Sequence, residues 1–186
     1  MNCNGEIDSA DLVTSTAYSY GTQNGKQVSI TTQTRSQGSN SAVISVKKQS
    51  IDGLENWQTN LNGLTTHTKL ERLGGGNIRQ TVTNSDGTKV VTNSNSGKVT
   101  SIQQINIDGT NGNLITYNYD EFNRQIGTIE TFGTATVNTS AATYDNNGNI
   151  LTQTVNGQTT SFEYDAMGRQ TKVTAPGGVV TNTAYY

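Results

Sequence analysis

The sequence predicts an all-β fold of antiparallel hairpin repeats, and three observations carry that prediction. First, the composition favours strands and turns: of 186 residues, 31 are Thr, 22 Asn and 20 Gly, with a single Pro. Thr is β-branched and suits the pleated surface of a strand, while Asn and Gly suit turns. Second, nine Asx-Gly pairs punctuate the chain, from Asn4-Gly5 to Asn156-Gly157. Such a pair tolerates the positive φ that tight hairpin turns demand. Third, the segments between turns alternate apolar and polar residues with a period of two.

Taken in chain order, Gln27-Val28-Ser29-Ile30-Thr31 alternates and reads as a strand. Gly53 to Leu64 offers the nearest approach to a helical pattern, but Asn and Gly interrupt it, so an irregular loop is expected there. Gly74-Gly75-Gly76 has no Lys and no helix start, so it reads as a bulged connection and not as a phosphate loop. Asn77 to Val82 and Lys98 to Ile102 alternate again, as does Thr159 to Tyr164. Strands of this kind are expected to have one dry and one wet face.

The last 70 or so residues repeat themselves. Tyr117-Asn118-Tyr119-Asp120-Glu121-Phe122-Asn123-Arg124 is followed by Ala142-Thr143-Tyr144-Asp145-Asn146-Asn147-Gly148-Asn149, then by Phe162-Glu163-Tyr164-Asp165-Ala166-Met167-Gly168-Arg169. A fourth unit begins at Thr183-Ala184-Tyr185. Asp suits the first position of a type I turn, where its carboxylate accepts from backbone N–H groups further on. Three residues later stands Asn123, Gly148 or Gly168, the residue types that accept the left-handed conformation. Each unit therefore reads as a three-residue hairpin with a G1 bulge. The Tyr ends the outgoing strand, its ring on the apolar face and its hydroxyl seeking a polar partner. Arg124, Asn149 or Arg169 starts the return strand. One such unit cannot bury a core alone, so several must lie side by side. The tandem units divide the chain into 114–186, the repeat array, and 1–113, a more degenerate hairpin region.

These three units resemble the YD repeats of Rhs-type proteins, a group that includes bacterial Rhs and Tc-toxin components and the teneurins. The fit is closest at Phe162 to Arg169; Asn123 departs from the family's Gly, and Asn149 from its Arg. Thr83 to Thr88 and Asn95 to Val99 look like degenerate members without the Tyr. The resemblance implies a spiral β-sheet that closes into a hollow shell, which in bacterial relatives encloses a C-terminal toxin domain. It implies a non-catalytic structural scaffold, secreted or displayed at the cell surface, whose partners are flanking repeats of the same polypeptide and an enclosed toxin domain. The Pro- and Asp-Pro-containing motif that ends the family's core is not seen in these 186 residues. The chain reads as an excerpt from such a shell or as a short gene product. An excerpt would leave unpaired strand edges, so self-association of the isolated chain is expected. The alternative is a cell-surface adhesin or carbohydrate-binding module that contacts surface glycans through exposed Tyr, Asn, Asp and Trp.

Composition narrows the remaining functions. The formal net charge of −2 gives no basis for nucleic-acid binding. No apolar run approaches the roughly 20 residues of a membrane-spanning helix. One Cys (Cys3) rules out an internal disulfide, and with one His (His67) it rules out a His/Cys metal cluster. Nothing singles out a nucleophile beside His67, which reads as an exposed strand residue. The three repeat Asp residues each have a sufficient role in a turn, so no catalytic residue, cofactor or metal is expected. Trp57 reads as a packing residue ahead of a sugar platform.

Overall fold

The computed structural model describes residues 12–186. Cys3 and the pair Asn4-Gly5 lie outside the described residues. Within them every regular element is a strand, and no strand crosses over another: order in the sheet is order in the chain. The strands are antiparallel in every pair given below. The expected all-β hairpin fold is the fold observed.

The chain forms two compact units. Residues up to Val91, with Ile105–Thr110, make the first; Thr92–Gln104 and Asn111–Tyr186 make the second. The first contains β1 (Val13–Gln23), β2 (Lys26–Gln37), β3 (Asn40–Ser50), β4 (Glu55–Asn60), β5 (Thr65–Gly74) and β6 (Asn77–Thr83). The division falls within β7 (Lys89–Asn95) and near the end of β8 (Lys98–Ile105). The second contains β9 (Asn111–Tyr119), β10 (Gln125–Phe132), β11 (Ala135–Tyr144), β12 (Ile150–Val155), β13 (Gln158–Tyr164), β14 (Gln170–Thr174) and β15 (Val180–Asn182).

Two turn chemistries join these strands. At Asn24-Gly25, Ser96-Gly97 and Asn156-Gly157 both central residues have positive φ, the type I′ pattern that matches strand twist. The glycine run at Gly74–Gly76 is another tight hairpin, with positive φ at all three residues. The wider turns are different. In Asn60–Leu64, Asn84–Thr88, Asn106–Thr110, Asp120–Arg124, Asp145–Asn149, Asp165–Arg169 and Ala175–Val179 the first residue's N–H donates to the fifth residue's carbonyl, and the fourth residue's N–H donates back to the first residue's carbonyl. The fourth residue has positive φ in all seven, from +67° at Asn123 to +91° at Gly148. Several Asx-Gly pairs, Asn62-Gly63 and Asp86-Gly87 among them, thus belong to wide turns and not to two-residue ones.

A substitution tests this geometry. At Gly168, with φ +77°, a Cβ would meet nothing closer than 3.8 Å, so space is not the constraint. Backbone strain is: a β-branched residue held at positive φ costs about 1–3 kcal/mol. Gly168→Val is expected to lower the melting temperature by several degrees. Gly168→Asn should be mild, because Asn123 already occupies the equivalent position. An unchanged melt for the Val variant would contradict the turn assignment.

Two expectations need correction. Gly53 to Leu64 is not an irregular loop, since β4 occupies Glu55–Asn60. Gly53, Asn62 and Gly63 flank the strand and Asn60 ends it, while Asn56 sits inside it; pairing with β3 and β5 overrides the weak local signal. The dry face is also largely exposed. Among the described residues only Val28 and Trp57 are buried apolar side chains, both in the first unit, and many large apolar residues remain exposed. Among the described residues no second layer packs on the sheet of either unit, so alternation sorts side chains by face without drying either face. Thr is used differently from a core residue. Cross-strand hydroxyl pairs form at Thr59–Thr65, Thr128–Ser140, Thr143–Thr152 and Thr154–Thr159, at 2.6 to 2.8 Å, which explains why so Thr-rich a chain can pair its strands with little apolar burial.

Candidate functional site

The chemistry-bearing residues of the second unit form a ladder along its wide turns. In each the Asp is the anchor. Asp145 Oδ1 accepts from the N–H groups of Asn147 and Asn149 at 2.9 and 2.8 Å; Asp165 Oδ1 accepts from Met167 and Arg169 at 2.9 Å each; Asp120 Oδ1 accepts from Arg124 at 2.8 Å. The second carboxylate oxygen takes the side chain that starts the return strand: Arg124 Nε at 2.7 Å, Asn149 Nδ2 at 2.8 Å, Arg169 Nε at 2.7 Å. Asn149 thus stands where Arg124 and Arg169 stand in the other two units and keeps the bond to Asp.

The tyrosines tie each unit to the one before. Tyr119 Oη donates to the Val99 carbonyl at 2.9 Å, Tyr144 Oη to Gln125 at 2.8 Å, Tyr164 Oη to Ile150 at 2.9 Å and Tyr185 Oη to Gln170 at 2.9 Å. Gln125, Ile150 and Gln170 are in each case the residue just after the previous unit's Arg or Asn. The cation of one unit then lies over the ring of the next. Arg124 sits 4.7 Å from the Tyr144 centroid and Arg169 4.5 Å from that of Tyr185, while Lys98 covers Tyr119 at 5.5 Å. Arg124 Nη1 also donates to the Asp145 carbonyl at 2.9 Å. The step from Asn149 to Tyr164 lacks a cation, because an amide stands where Arg would.

Each repeat also carries a second bulge. Tyr119 pairs with Gln125 and Asn118 with Gly127, leaving Ile126 without a residue opposite. Leu151 and Thr171 are left over in the same way. Nothing in the residue types at these positions announces it. Asn95 to Val99 is a two-residue turn and not a wide one, yet Lys98 and Val99 still serve Tyr119 as a preceding repeat would. Asn84-Ser85-Asp86-Gly87-Thr88, within one of the degenerate members, has a counterpart in Asn106-Ile107-Asp108-Gly109-Thr110 that was passed over in the sequence. In both, Asp Oδ1 accepts from the Thr N–H and hydroxyl, and Asn Nδ2 donates to the Thr hydroxyl. The shared Asn-x-Asp-Gly-Thr string was the available signal.

Acid is expected to loosen these turns. The Asn149 amide, above all, holds the Asp145 carboxyl below the usual range, and the Arg169 N–H does so for Asp165. At Asp120 burial pushes upward, but the bonds from Arg124 outweigh it and the net direction is down. A folded value below the unfolded one, about 3.9 for Asp, means the contribution is full above the unfolded value and is lost as pH falls through the folded one. Thermal melts followed by circular dichroism should be level from pH 7 to about 5 and fall below about 4. A melting temperature unchanged in that acid range would contradict these bonds.

The first unit holds a different cluster. Glu55 is buried, and its carboxylate receives Lys26 Nζ at 2.7 Å and His67 Nε2 at 2.9 Å. The Lys26 bond is the main reason Glu55 is held below its ordinary pKa, with His67 assisting against the cost of burial. The His67 ring stacks on Trp57, centroids 4.7 Å apart and 2° from parallel. His67 is therefore half-buried and partnered, not an exposed strand residue. Trp57 has its ring in the core, so it offers no platform to a sugar. The Ser50 hydroxyl donates to Asp52 Oδ1 and accepts from the Glu55 N–H, while His67 faces Glu55. The cluster ties β2, β4 and β5 together, with the His67 ring committed to Glu55. Among the described residues no group of His, Cys, Asp and Glu could hold a metal ion.

The RHS Repeat family matches residues 144–180. Among curated proteins nothing matches the chain. Solved structures with a similar strand arrangement include a porin-like protein from Bacteroides uniformis, 16% identical over 96% of this chain and 87% of that one, with a TM-score of 0.37. TcdB2-TccC3-Cdc42 is 11% identical over 88% of this chain (TM-score 0.33), and TcdB2-TccC3 is 11% identical over 90% (TM-score 0.33); the chain spans only 12% of the length of each. The Tyr144 and Tyr164 hairpins lie inside the matched segment, so residues 144–180 carry the RHS repeat.

Proposed function

We propose that the chain is a non-catalytic structural scaffold, a wall segment of a secreted or surface-displayed Rhs-type protein. The observation that carries this reading is the tyrosine ladder. In four successive units a Tyr hydroxyl donates to a carbonyl of the hairpin before it. Such bonds make each hairpin a support for the next, which is what a wall built from repeats needs. Residues 114–186 act as the repeat array in this reading. Residues 1–113 supply degenerate hairpins of the same kind, supported by the shared hydrogen-bond pattern at Asn60–Leu64, Asn84–Thr88 and Asn106–Thr110. The motif residues Tyr119, Asp120, Asn123 and Arg124, with their equivalents in the next two units, are structural in role. The partners are flanking repeats of the same polypeptide and, more specifically, an enclosed C-terminal toxin domain; the isolated chain self-associates through open strand edges.

Hydrogen exchange on Tyr164→Phe tests the coupling. Loss of one hydroxyl bond removes about 1 kcal/mol. Amides of the preceding Asp145–Asn149 hairpin are expected to exchange roughly five times faster, along with those of the Asp165 hairpin. Faster exchange confined to the substituted hairpin would count against a coupled wall. The finer proposal is tested in the coding DNA on either side: further in-frame Tyr-Asp repeats, a Pro-rich terminating motif and an unrelated C-terminal domain support an enclosed toxin. Their absence removes that part of the reading.

A further inference from the structure

We propose that the step between Asn149 and Tyr164 is a binding site for a guanidinium group brought by another molecule. The same chain shows what such a place holds. At the step before it, Arg124 Nε donates to Asp120 Oδ2 at 2.7 Å and the guanidinium lies 4.7 Å from the Tyr144 centroid. Arg124 Nη1 donates to the Asp145 carbonyl at 2.9 Å. At the step after it, Arg169 Nε donates to Asp165 Oδ2 at 2.7 Å and the guanidinium lies 4.5 Å from the Tyr185 centroid. Each arginine bridges the carboxylate of its own turn to the ring of the next hairpin.

Asn149 is too short to make that bridge. Its Nδ2 takes the place of Nε, 2.8 Å from Asp145 Oδ2, and the side chain stops there, without the terminal nitrogens of Arg. Among the described residues this leaves several groups unclaimed. The Asp145 carboxylate has no cationic partner, whereas Asp120 and Asp165 each pair with Arg. The Tyr164 ring has no cation over it, whereas Tyr119, Tyr144 and Tyr185 each have one. The Asp165 carbonyl accepts from the Gly168 N–H alone, whereas the Asp145 carbonyl accepts from both Gly148 and Arg124. Asn149 Oδ1 lies beside the same turn, 3.8 Å from a Cβ built at Gly168, and is a further acceptor. An anion, a π face and two carbonyl oxygens therefore meet at one step with no cation of the chain between them.

This chemistry selects a guanidinium over an ammonium. A guanidinium is planar, weakly hydrated and carries its N–H donors in a fixed fork, so it lies on a ring while its edge donates to oxygen. Lys98, the one ammonium in the series, stands 5.5 Å from the Tyr119 centroid, further than Arg124 or Arg169 from theirs. The site depends on one step of the ladder and not on whether the chain forms a wall.

NMR titration of the intact, 15N-labelled chain with methylguanidinium chloride tests the site, with ionic strength held constant by sodium chloride. The Asn149 side-chain amide and the backbone amides of Asp165 to Arg169 are expected to shift saturably at millimolar concentration. Tetramethylammonium covers a ring but donates no hydrogen bond, and should bind several-fold more weakly. A capped Gly-Arg-Gly peptide separates the sources: tighter binding than methylguanidinium identifies an arginine side chain, and equal binding a small guanidinium compound. Asn149→Arg carries the residue already present at 124 and 169, so it keeps the turn, and it should abolish the response by filling the site from within. Arg124→Asn should create a second responding site at Tyr144. Tyr164→Phe keeps the ring and should keep the binding, although it loses the bond to Ile150. Absence of a saturable shift in the wild type overturns the proposal. An unchanged response in Asn149→Arg does so too, because it places the ligand elsewhere, and equal binding of tetramethylammonium overturns the assignment to a guanidinium.

Discussion

Trp57→Ala is expected to unfold the first unit at a temperature at least about 12 °C below that of the wild type. Trp57 is one of two buried apolar side chains among the described residues, at 5% exposure. Its ring carries the stacked His67, which in turn holds Glu55. Truncating a buried Trp costs about 3–5 kcal/mol, from lost transfer energy and the cavity left behind. A unit with so little other buried apolar surface has nothing to collapse into that cavity. Leu73→Ala, at a residue 54% exposed, should change stability by no more than about 0.5 kcal/mol. Equal effects of the two substitutions would mean that Trp57 is not the centre of the core.

Gly127→Ala and Gly127→Val should both disrupt β10 and β11. A Cβ built at Gly127 lies 2.8 Å from the Ser140 carbonyl oxygen, a backbone atom that cannot swing aside. Strand β10 is paired on both sides at this residue, to Asn118 of β9 and Ala141 of β11, so relief requires separating a ladder. The penalty is about 3 kcal/mol, and the Cβ itself is at fault, so Ala should be nearly as damaging as Val. Amide exchange across Ala135–Tyr144 should rise by about two orders of magnitude. Wild-type stability for the Ala variant would contradict the close approach of the strands.

Nothing in the sequence singles out Gly127, whereas Trp57 already reads as a packing residue and is one. Gly127 is one of 20 glycines and follows no turn signal; its constraint comes from the bulge at Ile126 and the approach of Ser140. Trp57 lies in a stretch interrupted by Asn and Gly, which reads locally as a loop and becomes a strand only because β3 and β5 flank it. His67 likewise reads as exposed until β4 brings Glu55 and Trp57 against it.

What the sequence by itself determined is the all-β hairpin class and the three wide turns at Asp120, Asp145 and Asp165. Asp165, Gly168 and Arg169 encode their turn through contacts within five residues, using φ preference and short-range acceptance by a carboxylate. Local chemistry of that kind is written in consecutive letters. The tertiary structure alone decided what joins one hairpin to another: Tyr144 on the Gln125 carbonyl, Arg124 on the Tyr144 ring, and Lys26 with His67 on Glu55. Those contacts depend on strand register, and register here is reset by unpaired Ile126, Leu151 and Thr171. A one-residue slip turns every following side chain to the other face, so the partners across hairpins become defined only when the sheet is assembled.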